Sequence, residues 1–207
     1  MTVYNRVLTD SDRDLLKPSI ALLWKHASNV MVGKIEKANI QQAFVLNATM
    51  ELIPKKSQIL CVGAHADPVP ITLRALGYSV ISIDPTFNYS LAEYKAQDPG
   101  CFGGIISTSV IEHVQDDEQF ISDICALLAP GGLAILTCDF LDSFKAGDPV
   151  PLTALRLYTS HDIQIRLRTV MARSNTYIYG ECDYTGRDNF EHNGCSYSFA
   201  SFLMRKS

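Results

Sequence analysis

At 207 residues and 22.9 kDa, the chain has room for one domain with a substantial core and too little for two ordinary catalytic domains in tandem. Hydrophobic residues make up 47% and charged residues 19%, scattered among one another, which excludes both a disordered tail and a membrane bundle. The net charge of -4, with no lysine or arginine cluster, excludes a nucleic-acid partner, because neutralising phosphates needs a concentrated basic face. The early apolar stretch Ile20 to Trp24 is too short to span a bilayer. Met1 is followed by Arg6, Asp10, Asp12, Arg13 and Asp14 rather than by a cationic leader and an apolar run, so a soluble cytoplasmic protein without membrane insertion is expected. Six irregularly spaced cysteines form no CxxC pair; they read as buried small hydrophobes, and no metal site is expected.

In chain order, periodicity predicts one helix from Asp14 to about Val32 and a second from Glu36 to about Leu52, ending before Pro54. These form an N-terminal helical preface, residues 1–56, to an α/β core over 57–207, the two making a single domain. Short apolar runs then predict strands at Gln58 to Gly63, Ser79 to Asp84, Gly104 to Ser107 and Leu133 to Cys138. Asp67 and Pro68 start the helix after the first strand, one as cap and one as first residue, and Gly77 ends it. Asp116, Asp117 and Glu118 suit the N-terminal end of the next long helix, whose apolar face is Phe120, Ile121, Ile124, Leu127 and Leu128. Pro130, Gly131 and Gly132 turn it into the following strand. A helix from His161 to about Ala172 precedes β-rich segments at Asn175 to Tyr184 and Ser196 to Met204. The alternation of strands and helices gives an α/β fold with a parallel sheet covered on both faces.

Right-handed crossovers bring Gly63, Asp84, Ser107 and Asp139 to the carboxyl edge, where such sheets bind ligands. Asp84 closes the second strand 21 residues after Gly63 closes the first, the interval at which a carboxylate reaches the two ribose hydroxyls of a nucleoside. A dinucleotide fingerprint would need glycines where His65 and Pro68 stand, and Asp67 would repel a pyrophosphate at the helix start. A nucleotide-dependent oxidoreductase is accordingly disfavoured.

The stretch from Gln58 to Phe140 resembles the class I S-adenosylmethionine-dependent methyltransferases. The resemblance is carried by Ile59-Leu60-Cys61-Val62-Gly63, Val80-Ile81-Ser82-Ile83-Asp84, Ser107-Thr108-Ser109-Val110-Ile111-Glu112-His113-Val114, Leu127-Leu128-Ala129-Pro130-Gly131-Gly132 and Leu136-Thr137-Cys138-Asp139-Phe140. It extends more loosely through Arg156 to Asp162 and Tyr197 to Ala200, where the chain resembles the subgroup found beside glycan and capsule assembly enzymes. Three features depart from the family. Cys61, His65 and Asp67 stand where it usually has an acidic residue and two glycines; the fourth strand begins Phe102-Gly103-Gly104 rather than with Phe-Asp; and the short interval from Asp84 to Ile105 leaves room only for a reduced third strand at Asn88 to Leu91.

The resemblance implies a Rossmann-like, doubly wound, mostly parallel α/β sheet of six or seven strands with the last antiparallel, S-adenosylmethionine as cofactor, S-adenosylhomocysteine as product, and contacts from Gly63, Ala64, His65, Asp84, Pro85, Ser107, Thr108 and Ser109. It implies a small-molecule or glycan acceptor, and a homodimer is compatible with the sequence. His113, beyond the strand carrying Ser107, suits the general base for a hydroxyl acceptor, because a histidine titrates near neutrality; it also suits a packing role. Asp139, Arg156 and Tyr158 are candidate acceptor contacts, with packing across the sheet edge as the alternative for the last two. His26, His161 and His192 lack any spacing partner. The competing function is a methyltransferase-fold binding or scaffold protein without turnover. The segments expected to shape the acceptor pocket, the two N-terminal helices, Phe140 to Pro151 and Tyr184 to Gly194, carry no decodable motif.

Overall fold

The computed structural model describes residues 3–98, 100–186 and 190–207; residues 187–189, inside the 184–194 segment, lie outside them. The buried runs of β2 (Gln58–Val62), β4 (Phe102–Thr108) and β5 (Leu128–Phe140) form the centre of the sheet, with β3 (Ser79–Ile83) at one edge. These four strands pair in parallel in the order β3-β2-β4-β5, and the long β9 (Cys195–Lys206) runs antiparallel against β5. The mostly parallel sheet and its antiparallel last strand are as expected. Alternation decides which side chain meets which layer. Leu60, Val62 and Ile105 pack with α5 (Asp117–Leu127), whereas Ile59, Cys61 and Ile106 pack on the face covered by α1 (Asp10–Met31), α2 (Ile40–Leu52) and α3 (Pro68–Ala75).

The predicted caps act as read. Asp67 accepts the Val69 amide with Pro68 in the first helical position, and Asp116 accepts the Gln119 amide. Helix α5 runs directly into β5, and the Pro130-Gly131-Gly132 segment is a bulged start of that strand, opposite Phe102 and Gly104. Gly132 is required there, since a Cβ would lie 2.8 Å from the carbonyl oxygens of Phe102 and Ala129. The helix predicted from His161 begins as a π-helical segment, Asp162–Leu167, and continues as α6 (Arg168–Ala172).

Three sequence expectations are corrected. Helix α1 starts at Asp10, where Asp12 returns a hydrogen bond to the Thr9 amide, and α2 starts only at Ile40. No third strand forms at Asn88 to Leu91. Asn88 Oδ1 instead accepts the Asp84 and Tyr89 amides while its Nδ2 donates to the Ser82 carbonyl, and a Ser90–Glu93 capping box then starts the short α4 (Leu91–Lys95). The N-terminal preface is not purely helical: β1 (Asn5–Leu8) is a sheet strand, so among the described residues the sheet has nine strands rather than six or seven.

Strand β1 completes a strand made of two pieces. After α6, β6 (Thr176–Ile178) pairs with β9 at Met204 to Lys206, and the Tyr179 amide donates to the Leu203 carbonyl. The chain then leaves β9, and β1 takes over in line, pairing with Ser201 to Phe199; β7 (Cys182–Asp183) flanks β1, and β8 (Phe190–His192) forms a hairpin with β9. The joint is Asn5, fully buried, whose Nδ2 donates to the carbonyls of Tyr179 and Glu181 and whose Oδ1 accepts the Leu203 amide. Asn5→Ala should cost about 2–4 kcal/mol, because buried backbone groups on three residues lose their partner. Urea unfolding with a wild-type midpoint would show the splice to be dispensable.

Candidate active site

At the carboxyl ends of β2, β3 and β4 lies a cavity of about 810 Å³, a volume typical of small-molecule sites. Its floor is set by a close approach. Gly63 has φ +75°, and a Cβ there would lie 2.3 Å from Val110 Cγ2, so the turn after β2 and the loop after β4 touch as only glycine allows. The amides of Gly63 and Ala64 both donate to the Ile83 carbonyl, tying this turn to β3. Beyond β4, Ser109 sits at φ +55°, an uncommon conformation for a side chain with Cβ, and donates its hydroxyl to Glu112 Oε1 at 2.6 Å.

Of the residues singled out in the sequence, Gly63, His65, Asp84, Pro85, Thr108, Ser109 and His113 line this cavity together. Ala64 and Ser107 sit beside them without lining it. Asp84 Oδ1 accepts both the amide and the hydroxyl of Thr86, and Oδ2 accepts the His65 amide. Burial pushes this carboxyl up, but the hydrogen bonds outweigh it and leave Asp84 below the ordinary carboxylate range. A carboxylate accepts at about four lone-pair positions; three are used here, leaving one on Oδ2.

His113 is exposed at the cavity rim, with its Nδ1 2.7 Å from the Thr153 carbonyl. A carbonyl only accepts, so Nδ1 carries a proton, and in the neutral ring Nε2 keeps the lone pair. The other three candidates lie outside the lining. Tyr158 is fully buried and donates to Asp117 Oδ2 at 2.7 Å, and Arg156 pairs with Asp117 and Asp162. Arg166 completes that cluster with hydrogen bonds to both Asp117 oxygens and to Asp162. The two residues expected to hold an acceptor are thus engaged in fixing α5 to the segment around α6. Asp139 is buried beside Glu112, whose Oε1 accepts the Asp139 amide. Burial, and then the charge of Glu112, pushes the Asp139 carboxyl well up; burial also raises Glu112 against the Ser109 hydroxyl.

Sequence reasoning missed Lys34, Gln41 and Gln42, which line the cavity from the end of α1 and the start of α2. The signal was two adjacent glutamines opening an otherwise apolar helix.

A family model described as a methyltransferase domain matches residues 37–178. The chain belongs to this methyltransferase domain family. Its fold is the class I fold, whose methyl donor is S-adenosylmethionine. Among solved structures it is similar to TehB from Haemophilus influenzae (16% identity, TM-score 0.56), covering 79% of this chain and 61% of that one. It is similar to a 1,6-didemethyltoxoflavin-N1-methyltransferase from Burkholderia thailandensis, solved with 1,6-didemethyltoxoflavin and S-adenosylhomocysteine (13%, TM-score 0.55), covering 97% and 92%. It is also similar to magnesium protoporphyrin IX methyltransferase from Synechocystis PCC 6803, solved with S-adenosylhomocysteine (14%, TM-score 0.52), covering 92% and 100%. The chain thus spans less than two thirds of TehB and nearly all of the other two. No curated protein matches it. Among the described residues, no helix is long and apolar enough to cross a membrane.

The carboxyl pair gives this methyltransferase domain a pH signature. A carboxyl whose folded pKa is raised contributes its full stability only below its unfolded value, near 4, and loses it as pH climbs towards the folded value. Asp139→Asn removes that loss, so it should raise Tm more at about pH 8 than at about pH 5. A Tm difference independent of pH would show that Asp139 ionises normally in the fold.

Proposed function

We propose that this enzyme methylates a hydroxyl on a small molecule, sugars and glycan units included, with the nucleoside of S-adenosylmethionine against Asp84 and His113 as general base. The observation that carries the reading is Asp84: an ionised carboxyl with one acceptor position open, in the cavity lining beside Val62, Ile83 and Leu91. The residues fit the cofactor. Val62, Ile83 and Leu91 offer an apolar wall to a flat base, and the volume accommodates the donor together with an acceptor group.

When bound, S-adenosylmethionine supplies a methyl group already activated by the sulfonium charge, so the protein's share is alignment and proton removal. Gly63 keeps the floor low enough for the donor to lie across the strand ends. The Thr153 carbonyl fixes the His113 tautomer, so Nε2 is free to take the proton of an acceptor hydroxyl as the new bond forms. The solved neighbours holding S-adenosylhomocysteine favour the same donor here, and the one holding 1,6-didemethyltoxoflavin favours a small acceptor.

Asp84→Ala should weaken S-adenosylhomocysteine binding by about 1.5–3 kcal/mol, the size of a hydrogen bond to a charged group. Equal affinities by calorimetry would remove Asp84 from the site. His113→Ala should keep that affinity and lower turnover about 10²- to 10⁴-fold, once mass spectrometry of a sugar and small-phenol panel has identified a methylated product. Turnover close to wild type would leave His113 a packing residue and catalysis to alignment alone.

A further inference from the structure

The turn between β2 and α3 is where the family's glycines usually stand, yet here its backbone is almost spent. Of the five amides from Gly63 to Asp67, four donate within the chain: Gly63 and Ala64 to Ile83, His65 to Asp84, and Asp67 to Ala64. That turn has little left to offer a charged ligand group. The opposite wall has the reverse property. Gln41 and Gln42 are 2% and 5% exposed, both line the cavity, and the Oε1 atom of each is shut off from water without a hydrogen-bond partner. An unpaired buried amide oxygen costs stability until a donor reaches it.

The orientation of Gln41 is fixed by chemistry. Ser109 Oγ donates its only proton to Glu112, so towards Gln41 it can only accept, and Gln41 Nε2 faces it at 3.4 Å. The oxygen of Gln41 is therefore the atom left over for a ligand. Asp67, also lining the cavity and 4% exposed, adds a further acceptor; Lys34 lies close enough for its charge to act on Asp67. Among the described residues Lys34 is the only lysine or arginine in the lining, and it makes no ion pair within 4.0 Å. Several acceptors and one free cation on one wall match a zwitterion, whose ammonium needs acceptors and whose carboxylate needs a cation.

We propose that Lys34, Gln41 and Gln42 hold the amino-acid end of the cofactor, the glutamine oxygens receiving its ammonium and the Lys34 ammonium its carboxylate. The inference rests on the cofactor reading above. It puts the two ends of one ligand on different walls: the nucleoside on Asp84 at β3, the amino acid on the start of α2 beside β4. The work of the missing glycines has then passed from backbone amides to side chains of the N-terminal helices.

Calorimetry with S-adenosylhomocysteine and with 5′-methylthioadenosine, which lacks the amino-acid end, tests it without any acceptor. Wild type should bind S-adenosylhomocysteine at least tenfold more tightly than 5′-methylthioadenosine. The double variant Gln41→Leu, Gln42→Leu, and separately Lys34→Ala on its half-buried loop, should each erase most of that preference while 5′-methylthioadenosine affinity stays within about twofold. The unchanged 5′-methylthioadenosine affinity also shows that the variants fold. A wild type with no preference, variants that keep it, or variants that weaken both ligands equally would overturn the inference and leave the cofactor reading standing. A wild type that binds neither ligand would remove the cofactor reading itself.

Discussion

One side chain, Asn5, stands in for a peptide unit. Where the chain turns away from β9 after Tyr179, the ladder would be left with an unpaired Leu203 amide and with carbonyls at Tyr179 and Glu181 facing a gap. The Asn5 amide has the donors and the acceptor of the missing backbone and fills the gap from the far end of the sequence. Ser201 reinforces it by donating to the carbonyls of Tyr4 and Arg6 on the same strand. This pins β1 parallel to the central strands, so its last residue, Leu8, points to the carboxyl edge of the sheet and delivers α1 and α2 there. Lys34, Gln41 and Gln42 reach the cavity because residue 5 is buried in the sheet.

The electrostatics of the edge follow from which carboxyls obtain donors. Asp84 collects two backbone amides and a hydroxyl, and those bonds hold it ionised despite partial burial. Asp139 and Glu112 are more deeply buried and face one another, and burial pushes both carboxyls up. The site therefore holds an ionised carboxylate on the β3 side and two carboxyls that resist ionisation behind Ser109.

What the sequence displayed was what short-range chemistry controls. Short continuous apolar runs gave the central strands, and Asp67-Pro68 and Asp116 gave helix starts, because each depends on neighbours within a few residues. The interval from Gly63 to Asp84 located two cavity residues for the same reason. Strand β1 was invisible: four residues carry no period, and Asn5 reads as a polar linker until a partner about 200 positions away is known. Arg156 and Tyr158 lie outside the cavity lining, and the sequence could not show it, because their partners Asp117 and Asp162 become neighbours only when α5 packs against the segment preceding α6. Asn88 defeated the expected third strand by a local route, its side chain capping the end of β3 and closing the sheet edge where another strand would begin.

The same logic explains how a turn that has lost two of its usual glycines remains compatible with a functioning site. Gly63 alone is sterically indispensable, since only there does the path of the loop after β4 forbid a Cβ. At His65 and Asp67 the side chains leave the turn's path free, and each backbone amide is consumed within the chain: one orients Asp84 and the other closes the turn on Ala64. Side chains there cost the turn its capacity to bind, not its shape. On the proposal made above, a ligand group that the turn's spent amides cannot meet is met from another wall, and α2, anchored through Asn5, is the element that brings unpaired polar groups there.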